Sequence, residues 1–430
     1  MHGCFDSDYH FKEFRLRYLL SSIPFWFALP LVAAEPGLDP EIEIATVRKI
    51  LSEVNPIEHT KGQLRLGYIQ VDKKDGLPDN SAFAVGGHLH VDSKRWHGWM
   101  AGIEGYAVIN PGINSDDPQK LNPDFFDADG ESFFTLSQAF VDGEWNRLEV
   151  KLGRQMLDTP HADADDSRMM PNYFQAATAT YTGFEEVTLF AGWVDRMAGW
   201  ENGVDAKRFV PVEKALGADA HTAGLFILSV VSDRIEETTL QAWYYGIPDI
   251  ANVLYLEAGR EFSGRRFVTT VGLQFDAAEE SGKALLGDVQ SRTAGVSLRV
   301  DDERSGLKLL AAFNRSFART GAFTSLGGGP FFTSMDMLGI DGIDRKARAW
   351  MVGVGYDYER IGLSNLHAGI AWGGFRSDDR LWDAKELDIS AAYNFSDRIT
   401  GQAVYADVTG DLPDGESRTL RLFVNFNFAS

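Results

Sequence analysis

The chain has 430 residues, 44% hydrophobic and 12% aromatic, with 43 glycines, one cysteine and a formal net charge of −21. That acidic balance excludes nucleic acid as a partner, because its phosphates would be repelled. A single cysteine excludes a disulfide framework, and no segment beyond the N-terminus offers the long apolar run of a membrane helix.

The N-terminus reads as an export signal. Lys12, Arg15 and Arg17 form a positive start, and Leu19 to Val32 is apolar apart from Ser21, Ser22 and prolines. Val32-Ala33-Ala34 supplies the small residues suited to cleavage after Ala34. Residues 1–34 are therefore expected to leave as a signal peptide. The lost bases balance Asp6, Asp8 and Glu13, so the mature charge stays at −21, and Cys4 is removed.

Residues 35–58 differ from everything after them. Ile44, Val47, Leu51 and Val54 recur at helical spacing, with Glu41 and Glu43 early and Arg48 and Lys49 late. That order suits the helix dipole and predicts a short amphipathic N-terminal helix, either periplasmic or tucked into a barrel mouth.

From residue 59 to residue 430 the pattern has period two. In the last segment Leu420, Leu422, Val424, Phe426 and Phe428 alternate with Thr419, Arg421, Phe423, Asn425 and Asn427. Phe267 to Asp276, Leu387 to Phe395, Ala294 to Val300 and Leu148 to Gly153 alternate in the same way. Strands are expected near 63–71, 82–91, 97–109, 132–142, 146–154, 173–181, 184–194, 220–231, 237–247, 251–262, 266–276, 291–300, 305–315, 346–358, 361–373, 384–395, 398–408 and 417–428. This is an all-β chain of about 18 strands, each about long enough to cross a bilayer at a tilt. Mean hydropathy is only −0.19, as expected when every second residue faces lipid.

The connections alternate as well. Gly143 to Asn146, Thr182-Gly183, Ser263-Gly264, Arg360 and Ser396-Asp397 read as tight turns, while 110–131, 155–172, 195–219, 277–290 and 316–345 read as long loops. Short turns at one end and long loops at the other describe a closed antiparallel transmembrane β-barrel. Trp96, Trp99, Trp145, Trp193, Trp200, Tyr244, Tyr245, Trp350, Tyr356, Tyr358, Trp372 and Trp382 lie near strand ends, where interfacial aromatic girdles belong.

Local motifs add a family resemblance. Gly62-Gln63-Leu64-Arg65-Leu66-Gly67-Tyr68-Ile69 resembles the first strand of OprD-type outer-membrane porins. Lys151-Leu152-Gly153-Arg154-Gln155, followed by Thr159-Pro160 and the run from Asp165 to Phe174, resembles that family's strand leading into its inward-folded constriction loop. The resemblance implies an eighteen-stranded, water-filled barrel in the outer membrane of a Gram-negative bacterium. It would pass small hydrophilic solutes such as amino acids, carboxylates or short oligosaccharides by passive, substrate-selective diffusion, as a monomer or a homotrimer. Porins usually end in an aromatic residue read by the barrel-assembly machinery, whereas here Phe428 is followed by Ala429 and Ser430.

The candidate constriction is the loop from Met156 to Asn172, with His161, Asp163, Asp165, Asp166 and Arg168. Arg65, Lys151, Arg266, Arg299 and Arg421 fall on the polar parity of their strands and are expected on the lumen wall. Opposed acids and bases would set a transverse field across the passage. Acids elsewhere, among them Asp276, Glu279, Glu280, Asp336, Asp341 and Asp344, read as loop residues able to hold divalent cations between lipopolysaccharide phosphates.

Catalytic, cofactor and metal sites are not expected. There is no nucleophile-elbow pattern, zincin motif or phosphate loop, and Asp127-Ala128-Asp129-Gly130 fails the calcium-loop spacing. His88, His90 and His97 are close in sequence but read as polar lumen or rim residues. Two other classes remain open. A plugged structural or adhesive barrel predicts bulky lumen residues, and only Phe423 is one. An outer-membrane hydrolase predicts a Ser/His/acid set, for which no candidate stands out.

Overall fold

A computed structural model describes residues 57–429 except 75, 77, 203, 204, 344, 379–381 and 414. The expected signal peptide and N-terminal helix lie outside the described residues.

Eighteen long antiparallel strands form the wall, from Ile57–Lys73 to Ser417–Ala429. Each pairs with its sequence neighbours, and the first and last pair with each other from Lys61↔Ala429 to Lys73↔Ser417. Closure leaves no open edge, so the ladder satisfies the backbone groups that lipid cannot. Two short pieces are added to the wall: Val210–Pro211, which pairs with the end of Val187–Ala198, and a separate hairpin of Asp158–Thr159 with Ala162–Asp163.

Every expected strand has its counterpart, with shifted ends. Phe133–Trp145 runs through Gly143 and turns at 146–147, and Tyr173–Phe184 runs through Thr182-Gly183 and turns at 185–186. Both turns, and that at 236–237, place a non-glycine residue in left-handed backbone: Asn146, Glu186 and Glu237. Around Arg360 the connection is longer than a tight turn, holding the 3-10 turn Tyr358–Ile361.

Alternation sorts the side chains as expected. On Ser417–Ala429, Leu422, Val424, Phe426 and Phe428 are exposed, while Thr419, Arg421, Phe423 and Asn425 are buried. The exposed set is the lipid face and the buried set faces a lumen filled by loops. Phe423 is an apolar residue on the lumen face, and Phe125 from the loop 110–132 packs on it at 5.8 Å.

The girdle needs correction at three positions. Trp145, Trp193, Tyr244 and Trp372 are exposed on the outer face, and Trp350 meets Trp372 edge-on at 4.9 Å. Tyr245, in contrast, is fully buried on the lumen side. Trp200 lies in the loop 199–224 against Arg168, and Trp382 packs on the buried cluster around Phe375. A ring near a strand end is girdle only on the outward parity, and Tyr245 has the inward one.

The seam depends on a glycine. Phe428 lies across Gly62, with ring atoms 2.2 and 2.5 Å from where a Cβ would sit and the His88 carbonyl oxygen 2.9 Å from it. Gly62→Val must displace that ring, a strain of about 1–3 kcal/mol. Heating in detergent should convert the variant from compact to unfolded electrophoretic mobility several degrees below the parent chain. An unchanged transition would show that the seam does not need this contact.

Candidate functional site

Two of the loops that fold into the lumen meet each other there. The first, 156–172, follows the short strand Leu148–Gln155 and begins as the hairpin 158–163. The second, 317–347, was legible only as a long loop. It carries Leu326-Gly327-Gly328-Gly329-Pro330-Phe331-Phe332, an apolar and glycine-rich centre unlike a solvent-facing loop. The two touch through backbone: Leu326 donates its N–H to the His161 carbonyl, and Asp163 donates to the Leu326 carbonyl. Gly328 has φ +89°, and a Cβ there would lie 2.7 Å from that of Asp163. This approach leaves no room for a side chain.

Wall arginines hold the loops. Arg65 Nη1 and Nη2 donate to Asp166 Oδ1 and Oδ2 at 2.5 and 2.6 Å. The same guanidinium also reaches the Arg168 carbonyl at 2.7 Å and Asn425 Oδ1 at 2.8 Å. Arg421 is paired with Asp336 of the second loop, and its Nη1 reaches the Ser167 carbonyl of the first at 3.3 Å. Both guanidiniums are buried, so their charge must be met by carboxylate at close range.

Other wall residues complete the anchoring. His161 Nε2 lies 2.8 Å from Asp276 Oδ2, its backbone N–H donates to Tyr245 Oη at 3.2 Å, and the rings of Tyr245, Tyr255 and Phe331 surround it. Arg168 reaches Asp124 Oδ2 at 3.2 Å and lies over Trp200 at 4.2 Å. Tyr106 donates its hydroxyl to the Met169 carbonyl. On the second loop, Glu386 accepts the N–H groups of Met337 and Leu338 at 2.7 and 2.8 Å, and Asp388 accepts that of Asp336 at 3.1 Å. Asn314 accepts from Thr333, and Gln274 donates to the Pro330 carbonyl. Below the loops, Glu104 accepts from Tyr173, Ser137 and Gln138 and lies 3.3 Å from His90 Nδ1.

Several expectations change on this geometry. Arg266 is not on the lumen wall. It lies in the turn before Phe267–Glu280, half-exposed, and clasps Asp302 with two nitrogens at 3.0 and 2.7 Å. Arg299 faces the lumen but is matched by Asp301 on its own strand, and Lys151 faces the lumen against the Phe140 ring at 3.9 Å. Asp276, Glu279 and Glu280 belong to a strand, and Asp276 and Asp336 are consumed by His161 and Arg421. Asp344 lies outside the described residues. The expected transverse field is thus largely collapsed into contact pairs.

Acids remain once these pairs are formed. Asp158 and Asp163 are cross-strand partners in the inward hairpin. Burial and then the charge of Asp158 push the Asp163 carboxyl up to about 8. Burial and then Asp165 push Glu201, in the adjoining loop, up to about 7. Both therefore gain negative charge as pH rises through 7 to 8.

The comparisons agree with this architecture. A family model described as outer membrane porin, OprD family, matches residues 144–395, more than half of the chain. No curated protein matches. Solved structures share the fold at low identity. OccAB3 of Acinetobacter baumannii is 16% identical with a TM-score of 0.75, over 86% of this chain and 99% of that one. OpdK of Pseudomonas aeruginosa, crystallised with vanillate, is 16% identical with a TM-score of 0.73, over 86% and 98%. A BenF-like porin of Pseudomonas fluorescens Pf-5 is 15% identical with a TM-score of 0.76, over 86% and 98%.

The Arg65 clamp is open to a direct test. Arg65→Ala leaves the part-exposed Asp166 carboxylate and two other acceptors without their donor, a loss of about 1–3 kcal/mol. Urea unfolding should show the loss, and single-channel traces should become noisy as the loop 156–172 comes free. Arg65→Lys keeps the charge without the two-nitrogen fork and should fall between the two. Parent-like noise in Arg65→Ala would remove the loop's dependence on this clamp.

Proposed function

The chain belongs to the OprD family of outer-membrane porins, and from that premise we propose that its passage favours small solutes carrying an ammonium group, amino acids foremost. As a family member it is an outer-membrane channel for passive diffusion of small solutes. The finer reading rests on one observation. The buried wall bases Arg65, Arg421 and Arg299 are spent on carboxylates, whereas Asp163, Asp165 and Glu201 lie on the inward loops and form no ion pair among the described residues. Once these carboxyls are ionised, their negative charge in the passage lowers the barrier for cations and raises it for free carboxylates. An amino acid presents both signs, and its carboxylate can then be met only where a wall guanidinium keeps a donor free.

The five loop residues named from the sequence then divide by role. Asp163 and Asp165 set the local charge. Asp166, Arg168 and His161 hold the loop in place. Export by the signal peptide 1–34, a barrel domain from 59 to 430, delivery by the barrel-assembly machinery and a monomeric or trimeric state belong to the same reading.

Reversal potentials in planar bilayers under a salt gradient test it, with the sign set by the pKa directions. Carboxyls held above their ordinary range are partly neutral at pH 6 and charged at pH 9, so cation preference should grow across that interval. Asp163→Asn together with Glu201→Gln should flatten the dependence. A channel that prefers anions throughout would overturn the proposal in favour of carboxylate solutes.

A further inference from the structure

On its outer surface the barrel carries a row of cations that the passage does not use. Four neighbouring strands, Leu307–Ser316, Arg348–Tyr356, Leu366–Arg376 and Asp383–Ser396, are joined in register there. Arg315 pairs directly with Arg348, Arg348 with Arg376, and Arg376 with Asp383. Their spacing follows from the sheet, about 4.8 Å per strand, so three guanidiniums stand along about 10 Å of rim. Arg292, on the neighbouring strand Gln290–Asp302, and Lys385, on Asp383–Ser396, extend the row at its two ends.

Parity and height place the row at a membrane surface. Arg348–Tyr356 presents outward, in order, Arg348, Trp350, Val352, Val354 and Tyr356. Leu366–Arg376 presents Leu366, Ala368, Ile370, Trp372 and Arg376 from the other end. Arg348 is one outward position beyond the girdle residue Trp350 and Arg315 one beyond Phe313, while Arg376 is two beyond Trp372, with Gly374 between them. The row lies on the rim of the long loops, which in these barrels is the extracellular one.

Like charges placed directly opposite across a sheet repel, so the row costs stability unless an anion offsets it. The protein offsets it only in part. Arg348 meets Asp378 at 3.1 Å through one nitrogen, Arg376 is 3.8 Å from Asp383, and Arg292 meets Glu279 at 3.2 Å. Arg315 makes no ion pair among the described residues. Elsewhere on the rim the bases are met more fully: Lys74 has Asp407 and Glu416, and Arg418 shares Asp407. In a chain of net charge −21 this concentration is local and unlike its surroundings.

We propose that this row is a binding site for the phosphates of lipopolysaccharide in the outer leaflet, with the acyl chains lying on the Phe313, Val352 and Ile370 face below. Guanidinium recognises phosphate through paired donors, and an interfacial setting just above an apolar belt suits a phosphorylated glycolipid. The inference rests on the outer-membrane reading, since it needs an outer leaflet.

The test uses the purified full barrel in detergent, titrated with bis-phosphorylated lipopolysaccharide and followed by native mass spectrometry. Parallel titrations use the same glycolipid after phosphatase treatment, and phosphatidylglycerol. The triple variant Arg315→Gln, Arg348→Gln, Arg376→Gln should bind the phosphorylated form at least about tenfold more weakly, and the dephosphorylated form should bind the parent as weakly as the variant does. Arg418→Gln, on the same rim, should leave binding unchanged. The single variant Arg315→Gln, which breaks no ion pair, should show a partial loss and guards against a folding defect in the triple. Equal binding by parent and triple variants overturns the proposal, as does equal binding of phosphatidylglycerol. Single-channel conductance of the same proteins separates this failure from a failure of the channel reading.

Discussion

A guanidinium shut inside a narrow lumen must find a carboxylate, and in this barrel the carboxylates of Arg65 and Arg421 come from loops. The rest of the interior follows from that requirement. Asp166 brings the first loop inward to Arg65, and Asp336 brings the second to Arg421. Once both loops are inside, their backbones need partners away from water. Glu386, Asp388, Asn314, Gln274 and Tyr106 supply them from the wall. What looks like a plug is a pair of anchored loops, and the charge left over is acidic.

The outer surface answers to a different solvent. There the constraint is apolar contact at every second residue, aromatic rings at both ends and charge only beyond them. The two faces share one backbone and differ only in parity. A one-residue slip of register would put Arg65 or Arg421 into lipid, so the inner ion pairs and the outer belt reinforce a single alignment.

Parity made the wall legible from the sequence. Leu422, Val424 and Phe426 against Arg421, Phe423 and Asn425 could be sorted without any knowledge of the loops. Turn positions were less clear, because residues such as Glu186 and Glu237 adopt left-handed backbone without the usual glycine. The first inward loop was legible through its resemblance and its run of mixed charges. The second was not, although three consecutive glycines before Pro330 and two phenylalanines are a poor fit to a solvated loop. The pairing of opposite charges was also hidden. Parity shows that Arg421 points inward, but only the fold brings Asp336, eighty-five residues away, against it. The same limit misplaced Trp200, Trp382 and Arg266, whose roles depend on contacts made across the chain, whereas Tyr245 was misplaced against its own inward parity.

The central claim is that buried pairs between wall and loops, not the loops' own stiffness, define the passage. Single-channel conductance across a double-mutant cycle on Arg421 and Asp336 tests it most directly. Arg421→Met and Asp336→Leu each leave a buried charge alone and should each give enlarged, unstable currents. The double variant removes both charges together and should return toward the quiet parent current, since a buried pair is often replaceable by apolar groups of similar size. Parent-like currents in all three variants, or strictly additive effects in the double, would contradict the account.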